Sequence, residues 1–222
     1  MKKYLLFLDT ETSGLPKKWN RKYTDSDNWP HVLQVAWIIF DEEKKEIKRS
    51  SKYIYEPFIP VSPAAEQIHG LTAAFLMRHG EKKKEVLRKL SHDIKKFKPE
   101  IIGHFLSFDL QVLCAEYFRC QLPIPFQGHD FFCTLLHSKK YVRNPHMVHL
   151  PLPYLYEALF SETPQHIHNA EKDAEITASC FFEMRRRGEL SDEDIVNQQP
   201  AFNDIMYDNT SRSSAIKQKR TR

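Results

Sequence analysis

The most constraining feature of the chain is an uninterrupted apolar run, Tyr4 to Leu8, that stops on Asp9 and is followed by Glu11. The run neither alternates nor recurs at helical spacing, and it is short. It therefore reads as a strand covered on both faces, which places it in the middle of a sheet. Residues two apart on a strand share a face, so Asp9 and Glu11 project together from its end. Two adjacent carboxylates repel unless a cation lies between them, and hard divalent ions such as Mg²⁺ and Mn²⁺ take oxygen ligands of this kind. Alone, the pair reads equally well as two strand-end acids facing water. Met1, Lys2 and Lys3 ahead of the run resemble the start of a signal peptide, but the run meets its first acid too soon for one. A core strand in a cytoplasmic protein is the expectation.

The rest of the pattern builds a mixed sheet around that strand. Val32 to Phe40 (VLQVAWIIF) and Ile47 to Tyr55 read as two further strands joined by the charged turn DEEKK. Thr72 suits the N-cap of a helix ending near Gly80, and Val86, Leu90, Ile94 and Phe97 recur at helical spacing until Lys98-Pro99. A strand over Ile101 to His104, a helix over Leu110 to Phe118, a strand over Asp130 to Cys133 and a short helix over Pro153 to Phe160 follow. The clearest amphipathic stripe is Ala170, Ala174, Thr177, Phe181 and Met184, a long helix ending at Gly188. Three strands followed by alternating helices and strands give an α/β fold, with a mixed sheet flanked by helices in a ribonuclease-H-like arrangement.

The 222 residues, 41% of them apolar, suit one substantial domain, and no run approaches the apolar length of a membrane span. The four scattered cysteines form no CxxC pair and read as buried thiols. A net charge of +4 permits a nucleic-acid partner without implying one. Past Gly188 the chain turns polar and ends basic, with Lys217, Lys219, Arg220 and Arg222. The expected organisation is a domain over residues 1–188 and a partly disordered appendage over 189–222.

Three further residues complete a possible site. Asp109 and Asp173 each fall near the start of an expected helix, where an acid commonly does no more than complement the helix dipole. His168 stands five residues before Asp173 and alone reads as a surface or capping histidine. Taken together, FLDTETSGL, IIGHFLSFD and HNAEKDA resemble the three motifs of the DnaQ-like (DEDDh) exonuclease superfamily, in the right order. IHGLT, Ile68 to Thr72, resembles the family's segment between sheet and first helix. The resemblance runs from about Lys3 to Arg187 and is nearest to the proofreading branch, with its role in DNA repair.

That resemblance implies a five-stranded sheet and a metal-dependent 3′→5′ exonuclease that releases 5′-mononucleotides from single-stranded nucleic acid, DNA before RNA. It implies two divalent ions, Mg²⁺ or Mn²⁺. Asp9, Glu11 and Asp173 would hold the inner ion, Asp9 and Asp109 the outer, and His168 would be the general base. His166 is a rival two residues away, but only His168 has the motif's spacing. Thr12, Gly14 and Leu15 would cradle the terminal nucleotide, with His69 and Phe108 as further walls. The alternatives are an RNA-directed relative and a non-catalytic polymerase-accessory protein. For the latter, QQPAF (Gln198 to Phe202) loosely resembles a sliding-clamp-binding peptide.

Two departures stand out. Phe105 follows His104 where the second motif ordinarily has asparagine. The first motif is followed by a polar insertion, PKKWNRKYTDSDNWP, in which Lys17, Lys18, Arg21 and Lys22 interleave with Trp19 and Tyr23. Such a mixture can hold phosphates and stack bases, so the insertion is expected to border the path of a bound strand.

Overall fold

The computed structural model describes residues 3–165 and 167–206. His166 and the basic end from residue 207 onward lie outside the described residues. The central strand is β1 (Tyr4–Thr12), flanked by antiparallel β2 (Val32–Asp41) and parallel β4 (Glu100–Gly103). β3 (Glu46–Tyr53) extends the β2 side and β5 (Phe131–Cys133) the β4 side, giving the order β3-β2-β1-β4-β5. The five-stranded mixed sheet expected from the sequence is present, and it is ribonuclease-H-like.

The absence of alternation in β1 follows from its position. Leu6 and Leu8 enter one core with α3 (Lys83–Phe97) and α4 (Leu106–Arg119), packing among Val86, Leu90, Leu110 and Leu113. Phe7 points the other way, into a core with α6 (Leu152–Phe160) and α7 (Ala170–Arg186), where it meets Phe181 at a 5.5 Å ring separation. Both faces of the strand are dry, so both parities are apolar. β1 also runs four residues past Leu8. Asp9 pairs with Ala36 and Glu11 with Gln34, and the ladder breaks only between Glu11 and Thr12. The two acids are thus rungs of the sheet, not its overhang.

Helix boundaries differ where a side chain takes an unusual role. α1 (Pro63–His69) is absent from the sequence reading, although it carries a start signal: Ser62 Oγ accepts from the Ala65 amide and Pro63 takes the first helical position. α2 (Ala73–His79) is capped as expected, with Thr72 Oγ1 accepting from Phe75 N at 3.1 Å. α4 begins at Leu106, four residues before the expected Leu110. α5 (Thr134–His137) is a single turn after β5. All four cysteines are buried free thiols. Among the described residues no helix is long and apolar enough to cross a membrane.

The largest correction concerns the segment after Gly188. Through Met206 it forms α8 (Asp192–Gln198) and α9 (Pro200–Met206), and it completes the fold. Leu190 and Ile195 join the core under α7, while Phe202, Ile205 and Met206 join the core under α4. Gln198 and Gln199 close the open edge of β5. Gln198 accepts from Cys133 N at 2.8 Å and donates to Cys133 O at 3.2 Å; Gln199 accepts from Phe131 N at 3.0 Å and donates to Phe131 O at 2.8 Å. Each side-chain amide satisfies both backbone groups of one edge residue, which keeps the edge from pairing elsewhere. Within QQPAF, Gln198 and Gln199 are thus spent on the strand edge and Phe202 on the core, the residues a clamp-binding peptide would have to present. The segment's few apolar residues are split between two short helices, so no stripe was visible in the polar composition.

Phe202 is 1% exposed. Phe202→Ala should lower unfolding free energy by about 3–5 kcal/mol in a urea titration. A loss below about 0.5 kcal/mol would show that α9 is not part of the cooperative fold.

Candidate active site

Alternation along β1 sends Asp9 and Glu11 to the α7 face and Thr10 to the α4 face. Across from the two acids, Asp173 sits in the first turn of α7. That turn is fixed twice. Asn169 caps it, its Oδ1 accepting from Glu171 N at 3.1 Å, and Gln34 Oε1 accepts from Ala170 N at 3.3 Å. Because Gln34 is the ladder partner of Glu11, this bond sets the start of α7 directly over the acidic pair. One carboxylate oxygen from each of Asp9, Glu11 and Asp173 lies within 4.8 Å of the others.

Asp109 comes from the opposite side, in the first turn of α4, and is 3% exposed. Thr10 Oγ1 donates to its Oδ1 at 2.7 Å. α4 itself is anchored by Glu116, a fully buried carboxylate that accepts from Val32 N at 3.1 Å and His31 Nδ1 at 3.0 Å and pairs with Lys83 at 2.7 Å. Burial pushes the Glu116 carboxyl up, but His31, Lys83 and Arg119 outweigh it and hold the group at about 2.

The four site acids have no such partners. Burial, then Asp109, Asp173 and Glu11, raise Asp9 well above the usual carboxylate range. Burial and the neighbouring Asp173 and Asp109 push Glu11 to about 8. Burial takes Asp109 to about 7 against the Thr10 bond, and Asp173 to about 6 against its bond from His168. Asp173 Oδ1 is buried with no hydrogen-bond partner. An all-carboxylate donor set that is crowded, short of positive charge and left with an unpaired oxygen fits a hard divalent cation. No cysteine competes for it, as a softer metal would require.

The remaining candidates lie around this cluster. His168 is exposed, has left-handed backbone (φ 66°), and donates its amide to Asp173 Oδ2 at 3.2 Å. His69, at the end of α1, accepts from Leu71 N at Nδ1 (3.0 Å), so its Nε2 carries the proton and donates to Thr12 O at 3.2 Å. Burial lowers its pKa, so the ring is neutral. Thr12 Oγ1 donates to Gly14 O at 2.7 Å, and the next residue, Leu15, is 73% exposed. Phe108 is half-buried beside Trp19 and Phe105. His104, by contrast, is pushed to about 4 by burial and pairs through Nδ1 with Thr134 Oγ1 at 2.9 Å, a structural role.

Sequence reasoning missed Thr10, Gln34 and Asn169. Gln34 left a trace, as the single polar residue inside VLQVAWIIF; Thr10 and Asn169 lay inside the motifs but showed their use only through contacts.

The sequence pattern of the RNase T exonuclease family matches residues 6–181, a span that holds all four acids and His168. The chain belongs to the exonuclease family. Within it the motif set is DnaQ-like. Among solved structures the chain is similar in fold to E. coli exonuclease I in complex with a dA16 oligonucleotide (TM-score 0.63, 19% identity, 83% of this chain and 41% of that one). It is also similar to the zinc-bound E. coli exonuclease I–single-stranded DNA complex (TM-score 0.69, 19% identity, 84% and 41%). A third is a moderately thermophilic exonuclease I from Methylocaldum szegediense (TM-score 0.65, 20% identity, 84% and 41%). The chain thus spans about two-fifths of the length of these structures. No curated protein matches it.

Acids raised by folding bind protons in the native state that the unfolded chain has already released, so metal-free stability falls as pH rises from about 4 through about 8. Without metal, Tm should drop by about 5 °C or more between pH 5 and pH 8, and Mn²⁺ should restore more at pH 8 than at pH 5. A metal-free Tm that rises over this range, or an equal metal effect at both ends, would contradict the assignment.

Proposed function

We propose that this exonuclease removes 5′-mononucleotides from the 3′ end of single-stranded nucleic acid, with DNA as the first substrate, through two divalent metal ions. The observation that carries the reading is the cluster of Asp9, Glu11 and Asp173, whose carboxylate oxygens lie within 4.8 Å of one another, with Asp109 near enough from α4 to raise Asp9 and Glu11. Asp9, Glu11 and Asp173 would hold the inner ion, and Asp9 with Asp109 the outer one. Ions so held would supply an activated water and would neutralise charge building on the phosphate.

The chain's own groups do the rest. Thr10 fixes the rotamer of Asp109, and Gln34 with Asn169 fixes the turn that carries Asp173. His168 takes a proton from the attacking water, the general-base role that an imidazole can fill. Its exposed, left-handed position lets the ring swing towards a bound strand while its amide stays on Asp173. His69 keeps the Thr12 carbonyl in place, and the exposed Leu15 stands where a terminal nucleotide would rest. DNA is favoured because the oligonucleotides in the similar exonuclease I structures are DNA. A non-catalytic accessory role is disfavoured. Four mutually repelling acids, Asp109 buried and the other three half-buried, destabilise a fold, and binding alone gives no reason to keep them.

The test is digestion of matched DNA and RNA oligonucleotides labelled at either end. A 3′ label should leave at once as a mononucleotide, and a 5′ label should shorten stepwise. EDTA should stop both, and Asp9→Ala should slow them by about 10³-fold or more. Internal cuts first, or activity that survives EDTA, would refute the reading; faster RNA loss would transfer it to RNA.

A further inference from the structure

Phe105 occupies a position that its side chain does not suit. It is the N-cap of α4 with left-handed backbone (φ 66°, ψ 36°), a conformation in which asparagine is at home and a bulky residue is an outlier. It offers no oxygen to the open amides of the helix, and its ring is 40% exposed. Trp19 reaches it from the polar insertion, 53% exposed, with ring centroids 5.7 Å apart. Phe108 completes the group, stacked on Phe105 at 6.0 Å and 15° and lying 5.8 Å from Trp19. Strain, solvent exposure and a lost cap all work against stability here.

The insertion that presents Trp19 is held firmly. Buried Asn28 clips it from both sides, accepting from Lys18 N and donating to Lys18 O, each at 2.8 Å, and its carbonyl accepts from Lys17 N at 2.9 Å. Buried Trp29 donates from Nε1 to Lys22 O at 3.1 Å. Trp19 is thus a presented ring on a fixed loop, between exposed Lys17 and Lys18 on one side and Arg21 on the other. Phe108 immediately precedes Asp109 in the first turn of α4, so the three rings gather at the helix end that carries this acid.

We propose that Trp19, Phe105 and Phe108 form a stacking platform for bases at the 3′ end of the strand, so that this exonuclease grips its substrate through nucleobase faces as well as phosphates. This rests on the proposed function for the strand's direction, since the platform is useful where it leads into the acids. Aromatic faces accept any base, purines more strongly, while the neighbouring lysines follow the backbone. The polar asparagine otherwise expected at position 105 would give up that surface.

Binding measured in EDTA, where no hydrolysis consumes the strand, separates this from catalysis. A fluorescein-labelled oligodeoxyadenylate is compared with the same strand made abasic at its last three 3′ positions, against the full-length protein, Trp19→Ala and Phe105→Asn. The intact protein should favour the intact strand by about 10-fold or more. Each substitution should reduce that preference to about twofold or less. Phe105→Asn should also melt at a higher temperature, because asparagine accepts the left-handed cap. A preference unchanged by both substitutions, or an intact protein indifferent to base removal, would overturn the platform. Base discrimination without digestion would instead refute the nuclease reading and leave the platform standing.

Discussion

The repulsion among Asp9, Glu11, Asp109 and Asp173 is the constraint around which the molecule is organised. Left to itself, a chain would not hold four carboxylates, one buried and three half-buried, where they raise one another, since each loses hydration and gains like charge. The fold compels it. β1 is locked between two strands and two cores, so its acids cannot turn away. α4 and α7 are pinned against opposite faces of that strand by Glu116 and by the Gln34–Ala170 contact. Rigid elements hold the charges where a flexible loop would let them separate.

Stability is given up in one region and recovered in others. The end of β1 collects the raised acids, the left-handed His168 and Phe105, and the exposed Leu15 and Trp19. Recovery comes from the two cores and from the far edge of the sheet, where Gln198 and Gln199 close β5 and Phe202 is buried. Such clustering of unfavourable features at one point marks a functional site more firmly than any single residue does.

How much of this the sequence carried depended on where each signal resided. The order of strands and helices was readable because the hydrophobic period changes cleanly from β1 through α7, and the four acids were readable because each belongs to a motif with fixed internal spacing. β1 was read too short, since Asp9 and Glu11 look like a terminus although their backbone still pairs with β2. The start of α4 was lost because Phe105 gives no capping signal. The last two helices were hidden by composition: Gln198 and Gln199 look solvent-bound until the strand edge they satisfy is known. Trp19, eighty-six positions before Phe105 in the chain, could be suspected of stacking but not placed beside it.

The most direct examination of the acid cluster is a calorimetric titration of the metal-free protein with Mn²⁺ at pH 7 in buffers of differing ionisation enthalpy. Two ions should bind per chain and displace protons into the buffer, because Glu11 and Asp109 hold theirs near that pH until a cation arrives. Both binding events should weaken in Asp9→Asn, because Asp9 is the ligand proposed to be shared by the two ions. Binding without proton release, or an Asp9→Asn protein that takes up Mn²⁺ as the unaltered chain does, would contradict the account.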